Sequence, residues 1–157
     1  MSEQRAIEAL EAAGLDFTLT RHGRVSSLAE AAEARGVQPR DLIKTLVVRR
    51  ADDDFLFVLV PGDREISWPK LRSLLGVSRM SMPDKDVAKQ ATGYERGTIT
   101  PFGSTTAWPV VADASLAGDP DRMISLGAGA HGVAVTVNAE AAIAALEAQV
   151  ADVTELQ

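Results

Sequence analysis

Apolar positions change period several times along the chain. Ala6, Ile7, Leu10 and Ala13 recur at helical spacing, and Gly14 supplies a stop. Leu15, Phe17 and Leu19 then alternate with polar residues, which predicts a strand. Ser27-Leu28-Ala29-Glu30 fits a capping box and opens an alanine-rich helix that ends at Gly36. Ile43 to Arg50 and Phe55 to Val60 read as strands joined by the acidic turn Ala51-Asp52-Asp53-Asp54. Pro69 suits the first turn of a helix that carries Leu71, Leu74 and Leu75 and closes at Gly76. Pro83 opens another helix, to about Thr92. Strands follow near 106–112, 121–126 and 133–137, and Asn138 caps a final helix with Ile143 and Leu146. Helices and strands interleave without a regular βαβ rhythm. The pattern predicts an α+β fold with a mixed, barrel-like sheet surrounded by helices, in one domain over residues 1–157.

Composition narrows the chemistry. The 157 residues are 46% hydrophobic and 24% charged, as in a folded globular domain. With no cysteine, disulfides, a cysteine nucleophile and thiolate metal sites are excluded. The start lacks the basic end and apolar run of a signal peptide, and Phe55 to Val60 is far too short to span a bilayer. A cytoplasmic protein without membrane contact is expected. The net charge of −6 is unevenly spread: the stretch from Met123 on holds four acids and no lysine or arginine. Residues 21–50 hold seven Lys or Arg against three acids, and residues 64–96 hold seven against four. This balance argues against tight, non-specific nucleic-acid binding but permits one basic face that receives a nucleic-acid end.

Three features can carry chemistry. The first is the stretch Thr92 to Gly103, with Gly93, Gly97, Gly103 and Pro101 around Thr98, Ile99 and Thr100. Glycines permit close backbone approach and positive φ, so such a loop presents N–H and C=O groups to a small polar ligand, or serves as a rigid turn. The second is Lys44, which shares a strand face with Leu46 and Val48. A lysine so placed either guards a sheet edge or points into a cleft, where desolvation lowers its pKa. The third is Gly127-Ala128-Gly129-Ala130-His131-Gly132, a second glycine-rich loop, which is either a ligand-facing turn or a hairpin with an exposed histidine. His22 reads as a surface residue. The two histidines form no metal-ligand pair, so no metal and no cofactor are expected. No Gly-x-Ser-x-Gly elbow, phosphate loop or dinucleotide fingerprint is present. An enzyme built this way lacks an evident nucleophile. That favours a positioned water attacking an activated bond.

Together these residues resemble the YbaK/EbsC family of aminoacyl-tRNA deacylases, which includes the editing domain inserted in bacterial prolyl-tRNA synthetases. The likeness runs from about Ala6 to about Glu155. It is carried by Ile43-Lys44-Thr45-Leu46-Val47-Val48, by Met82-Pro83-Asp84-Lys85-Asp86, by Thr92-Gly93-Tyr94 leading into Gly97 to Gly103, and by Gly127 to Gly132. The resemblance implies metal-free hydrolysis of the ester joining a wrong amino acid to tRNA. It puts Lys44 on the family's essential lysine, Gly97 and Pro101 on its Gly-x-x-x-Pro loop, and Gly129 and His131 on the loop closing the pocket. Members most like the cysteinyl-tRNA(Pro) deacylases carry arginine at the His131 position, a Gly-Gly pair at Ala128-Gly129 and often serine at Thr100. The amino acid removed (cysteine, alanine or another small residue) is left open by these differences. The expected partners are the 3′ end of aminoacyl-tRNA and a prolyl-tRNA synthetase or other tRNA-binding protein. Two other functions fit the same residues: a non-catalytic module that binds an aminoacyl or nucleotide end, and hydrolysis of another small activated ester or amide.

Overall fold

The structure is a computed structural model and describes residues 2–157. Helix α1 (Ser2–Ala12) leads into strand β1 (Phe17–Arg21) and helix α2 (Leu28–Arg35). Strands β2 (Ile43–Ala51), β3 (Asp54–Pro61) and β4 (Arg64–Ile66) precede helices α3 (Trp68–Leu75) and α4 (Lys85–Thr92). Strands β5 (Val110–Asp113), β6 (Met123–Gly127) and β7 (Val133–Asn138) follow. Helix α5 (Ala139–Ala145) and strands β8 (Gln149–Ala151) and β9 (Thr154–Leu156) complete the order.

Local chemistry accounts for the boundaries. The Ser27 side chain accepts from the Glu30 N–H at 3.1 Å, as a capping residue should. The reciprocal half of the box differs from expectation, because Glu30 reaches the Ser26 N–H and hydroxyl instead. Helix α2 ends on Gly36 in the left-handed region, and α3 likewise ends on Gly76. The helix expected from Pro83 begins at Lys85, because Asp84 caps it by accepting from Val87 N–H at 2.9 Å. Asn138 caps α5 in the same way through Ala141.

The strands form three sheets, ordered β1-β7-β6, β2-β3-β5-β8 and β4-β9. The middle sheet is mixed: β2 runs antiparallel to β3, while β3, β5 and β8 are parallel. An isolated bridge from Leu42 to Ser125 brings the β2 edge against β6. The mixed α+β expectation holds; among the described residues the strands fall into three sheets and close no barrel. Strand β3 is buried on both faces, which explains its uninterrupted apolar run. Phe55, Phe57 and Leu59 enter a core shared with Leu10, Ile43, Leu126 and Val135. Leu56, Val58 and Val60 enter a second core with Leu71 and Val153. Three short strands, β4, β8 and β9, were not expected from the apolar pattern. Among the described residues no helix is long and apolar enough to cross a membrane.

Candidate active site

The start of β2 forms one wall of a cavity of about 280 Å³. Ile43 to Val47 line it from the strand, Met82 and Pro83 from the segment that enters α4, Ala88 from α4 itself, and Gly127 from the end of β6. Arg96, Gly97 and Ile99 come from the loop after α4, and Arg35 from the last turn of α2. Lys44, Gly97, Ile99 and Gly127, far apart in sequence, are thus brought to one place. The charged side chains on the wall are Arg35, Lys44 and Arg96, all cationic. A pocket with this wall suits an anionic or electron-rich group in an otherwise acidic molecule.

Lys44 is half-buried, and its Nζ donates to the Arg64 carbonyl at 2.7 Å. Burial pushes its pKa below the ordinary lysine value, and the carboxylates of Glu65 and Asp63 act the other way. One proton of the ammonium is engaged by Arg64, which leaves two donors for a ligand.

The 93–103 loop is held from several sides. Arg5, on α1, donates from Nε to the Gly103 carbonyl at 3.1 Å and from Nη2 to the Gly93 carbonyl at 3.0 Å. Its guanidinium lies 4.7 Å from the centre of the Tyr94 ring. Tyr94 is fully buried and donates from its hydroxyl to the Phe102 carbonyl at 2.7 Å. Thr98, also buried, donates from its hydroxyl to Glu95, and its carbonyl accepts from Gly129 N–H at 3.0 Å. Gly97 takes φ +90°, and among the described residues its N–H and that of Ile99 find no backbone acceptor. Gly127 backs the loop closely: a Cβ there would stand 3.4 Å from the Ile99 carbonyl. Two unengaged amides on a braced loop are suited to stabilising developing negative charge.

The other singled-out residues stand around the cavity rather than on its wall. Thr98 and Thr100 are buried, and the Thr100 hydroxyl accepts from Phe102 N–H at 3.3 Å. Pro101 borders a second hollow, with Trp108 and Val110. At Gly103 a Cβ would come within 2.6 Å of the Arg5 carbonyl, and at Gly129 within 2.7 Å of the Ser2 carbonyl. Both glycines therefore let α1 and Tyr94 pack closely. His131 is exposed; its Nε2 lies 3.3 Å from Glu95 Oε2, and its Cε1 would sit 3.7 Å from a Cβ on Gly97. It flanks the loop from outside. His22 is half-buried rather than on the surface, with its backbone N–H on the Gly132 carbonyl. Sequence reasoning passed over Arg35 and Arg96, because an arginine directly before a glycine is ordinarily a solvated charge. Among the described residues no cluster of three or more His, Asp or Glu forms a metal-binding group.

Comparison with known proteins agrees with this geometry. Over 92 residues the chain is 36% identical to a proline–tRNA ligase of Citrifermentans bemidjiense, and over 77 residues 39% identical to that of Heliobacterium modesticaldum. These alignments cover 59% and 49% of this chain but only 16% and 13% of the ligases, so the chain corresponds to a small part of such enzymes. Its fold matches the crystal structure of a protein proposed as a trans-editing enzyme for prolyl tRNA synthetase. That match has a TM-score of 0.87 and 25% identity, over 98% of this chain and 97% of the other. A hypothetical protein of known structure matches with a TM-score of 0.85 and 25% identity, over 96% and 99%. Residues 22–144 match the model of the aminoacyl-tRNA editing domain, and with most of its length inside that match the chain belongs to this family.

Proposed function

We propose that the protein is an aminoacyl-tRNA deacylase acting in trans, which hydrolyses the ester of a tRNA carrying a small, wrong amino acid. Cys-tRNA(Pro) and Ala-tRNA(Pro) are the substrates of choice. The observation that carries this reading is the convergence of Lys44 with Gly97, Ile99 and Gly127 on one small cavity with a cationic wall. No carboxylate or histidine lines that cavity, so the residues present favour placement and charge stabilisation over general-base catalysis by a side chain. An aminoacyl ester is already a good electrophile. Lys44, as an ammonium, anchors or polarises the ester carbonyl. The amides of Gly97 and Ile99 receive the oxygen as it becomes negative, and water attacks with help from the neighbouring ribose hydroxyl. His131, beside Gly97, shapes the mouth. The cavity excludes large side chains by size, which discriminates more sharply than the gain of one methylene.

With a net charge of −6 the chain offers little general attraction for tRNA. A synthetase or another tRNA-binding protein supplies affinity in a ternary complex.

The test is deacylation of Cys-, Ala- and Pro-tRNA(Pro), with seryl and threonyl species beside them, by wild type and Lys44→Ala. Hydrolysis of one mischarged species, with Pro-tRNA(Pro) spared, is expected. Lys44→Ala should lower kcat/KM about 100-fold or more with the fold intact, as judged by circular dichroism. Near-normal turnover by the variant would remove Lys44 from the mechanism. Binding of charged tRNA without hydrolysis by wild type would identify a non-catalytic binding module instead.

A further inference from the structure

Of the three cations on the cavity wall, Arg35 is the one drawn partly out of water with a buried donor left unmet. It reaches from the end of α2 toward β6, where Nη1 meets the fully buried Ser125 hydroxyl at a long 3.4 Å. Its Nε is closed off from solvent and has no acceptor. Among the described residues no carboxylate lies within ion-pair distance of it. Burial pushes its pKa down, with no compensating group, yet a guanidinium keeps its proton at any ordinary pH. A half-buried cation with unmet donors is costly. It becomes favourable when an anion with two acceptor oxygens completes the fork.

The chemistry of the proposed substrate says which anion this is. The aminoacyl group carries an ammonium and a neutral ester, so it offers no negative charge. The negative group nearest the ester is the phosphate on the 5′ side of the terminal nucleoside. We infer that Arg35 is the anchor for that phosphate, a substrate-binding residue that sets where the terminal nucleotide enters and so brings its ester to Lys44 and the Gly97 loop. The inference rests on the deacylase reading for its ligand but is tested separately from it.

The experiment measures binding of 5′-AMP, adenosine and free alanine to wild type, Arg35→Lys and Arg35→Gln by calorimetry, with melting curves for each protein. In wild type, AMP should bind about 10-fold or more tighter than adenosine, the range of a charge-assisted contact. Arg35→Gln should erase that preference while leaving adenosine affinity unchanged. Arg35→Lys keeps the charge and loses the fork, so it should fall between; it is the deciding variant if Arg35→Gln melts early. Equal affinity of wild type for AMP and adenosine would overturn the assignment. So would a preference that survives in Arg35→Gln. Arg35-dependent binding of free alanine in place of AMP would give the site to the released amino acid and overturn it as well. Hydrolysis of the 3′-alanyl esters of AMP and adenosine is followed in parallel. Arg35-dependent AMP binding with neither ester cleaved would leave the anchor standing and remove the deacylase reading.

Discussion

At Lys44 burial and charge pull in opposite directions. Removal from water disfavours the ammonium, Glu65 and Asp63 favour it, and the balance lies below the ordinary lysine value. The sign of the pH dependence follows. If the ammonium acts, Lys44-dependent turnover is full while the group holds its proton and falls as it loses it, at a lower pH than for a free lysine. Glu65→Gln removes a group that supports the charge, so the falling limb should move further down in pH. Rates measured over an alkaline series and corrected for spontaneous ester hydrolysis check this. A rate that climbs through the same range would assign the neutral amine. The stability term has a related sign: because the folded-state value lies below the unfolded one, the charged lysine opposes folding, and this penalty is relieved as pH rises. Lys44 was legible in the sequence because a charge inside an apolar strand is conspicuous. Arg35 was not. Its partial burial depends on where α2 comes to rest against β6, and local pattern carries no trace of that.

The loop between Gly93 and Gly103 behaves as a braced element. Its ends are tied by Arg5 and its middle by Tyr94, Thr98 and Gly129. The glycines in it differ in kind. Gly103 takes φ +76° and its missing side chain leaves room for α1, whereas Gly118 takes φ +100° with open space around it. Alanine at either position meets backbone strain, but only at Gly103 does it also collide with backbone. Gly103→Ala should therefore cost about 2 kcal/mol more than Gly118→Ala in chemical denaturation, and should lower deacylation as well. At this scale the sequence was informative wherever apolar runs were long. Strands β2 and β3 fell where their patterns put them, and so did the capped helices. Strands β4, β8 and β9, three residues each, escaped because Arg64-Glu65-Ile66 and Thr154-Glu155-Leu156 hold only one apolar residue apiece. Such strands exist because a partner is nearby, not because of their own composition. The loop itself stood out from its glycines and proline. That Thr98, Thr100, Gly103 and Gly129 stand behind the cavity wall required the packing of α1 to be known.

Across the whole molecule, Lys44 is connected to a buried acid two strands away, on β5. Asp113 is almost completely buried. Burial alone would raise its pKa, but hydrogen bonds from Ser115, Val153 and Thr154 outweigh it and hold the carboxyl below its ordinary value. Its Oδ2 lies 3.8 Å from Arg64 Nε, which in turn donates to the Thr154 hydroxyl at 2.6 Å. The carbonyl of the same Arg64 receives the Lys44 ammonium. Asp113 thus positions Lys44 through Arg64. Asp113→Asn should lower stability by about 1–3 kcal/mol at neutral pH. Because the folded-state value is depressed, the wild-type advantage is present above the unfolded carboxylate value and disappears as pH falls through the folded one. Parallel urea titrations of both proteins at neutral and strongly acidic pH measure it. A fall in kcat at an unchanged KM would separate the positioning effect from simple loss of fold.

The Arg5 brace also bears on how such a unit can be cut and moved between chains. Every residue on the cavity wall lies between positions 35 and 127, well inside the segment shared with the family. Arg5 precedes that segment, and Val153 and Thr154 follow it. A graft limited to residues 22–144 would transplant the whole wall and leave behind both the clasp on its loop and the partners, Val153 and Thr154, that hold Asp113 and Arg64 behind its lysine. The smallest portable form of this site is set by its supports rather than by its shared ancestry.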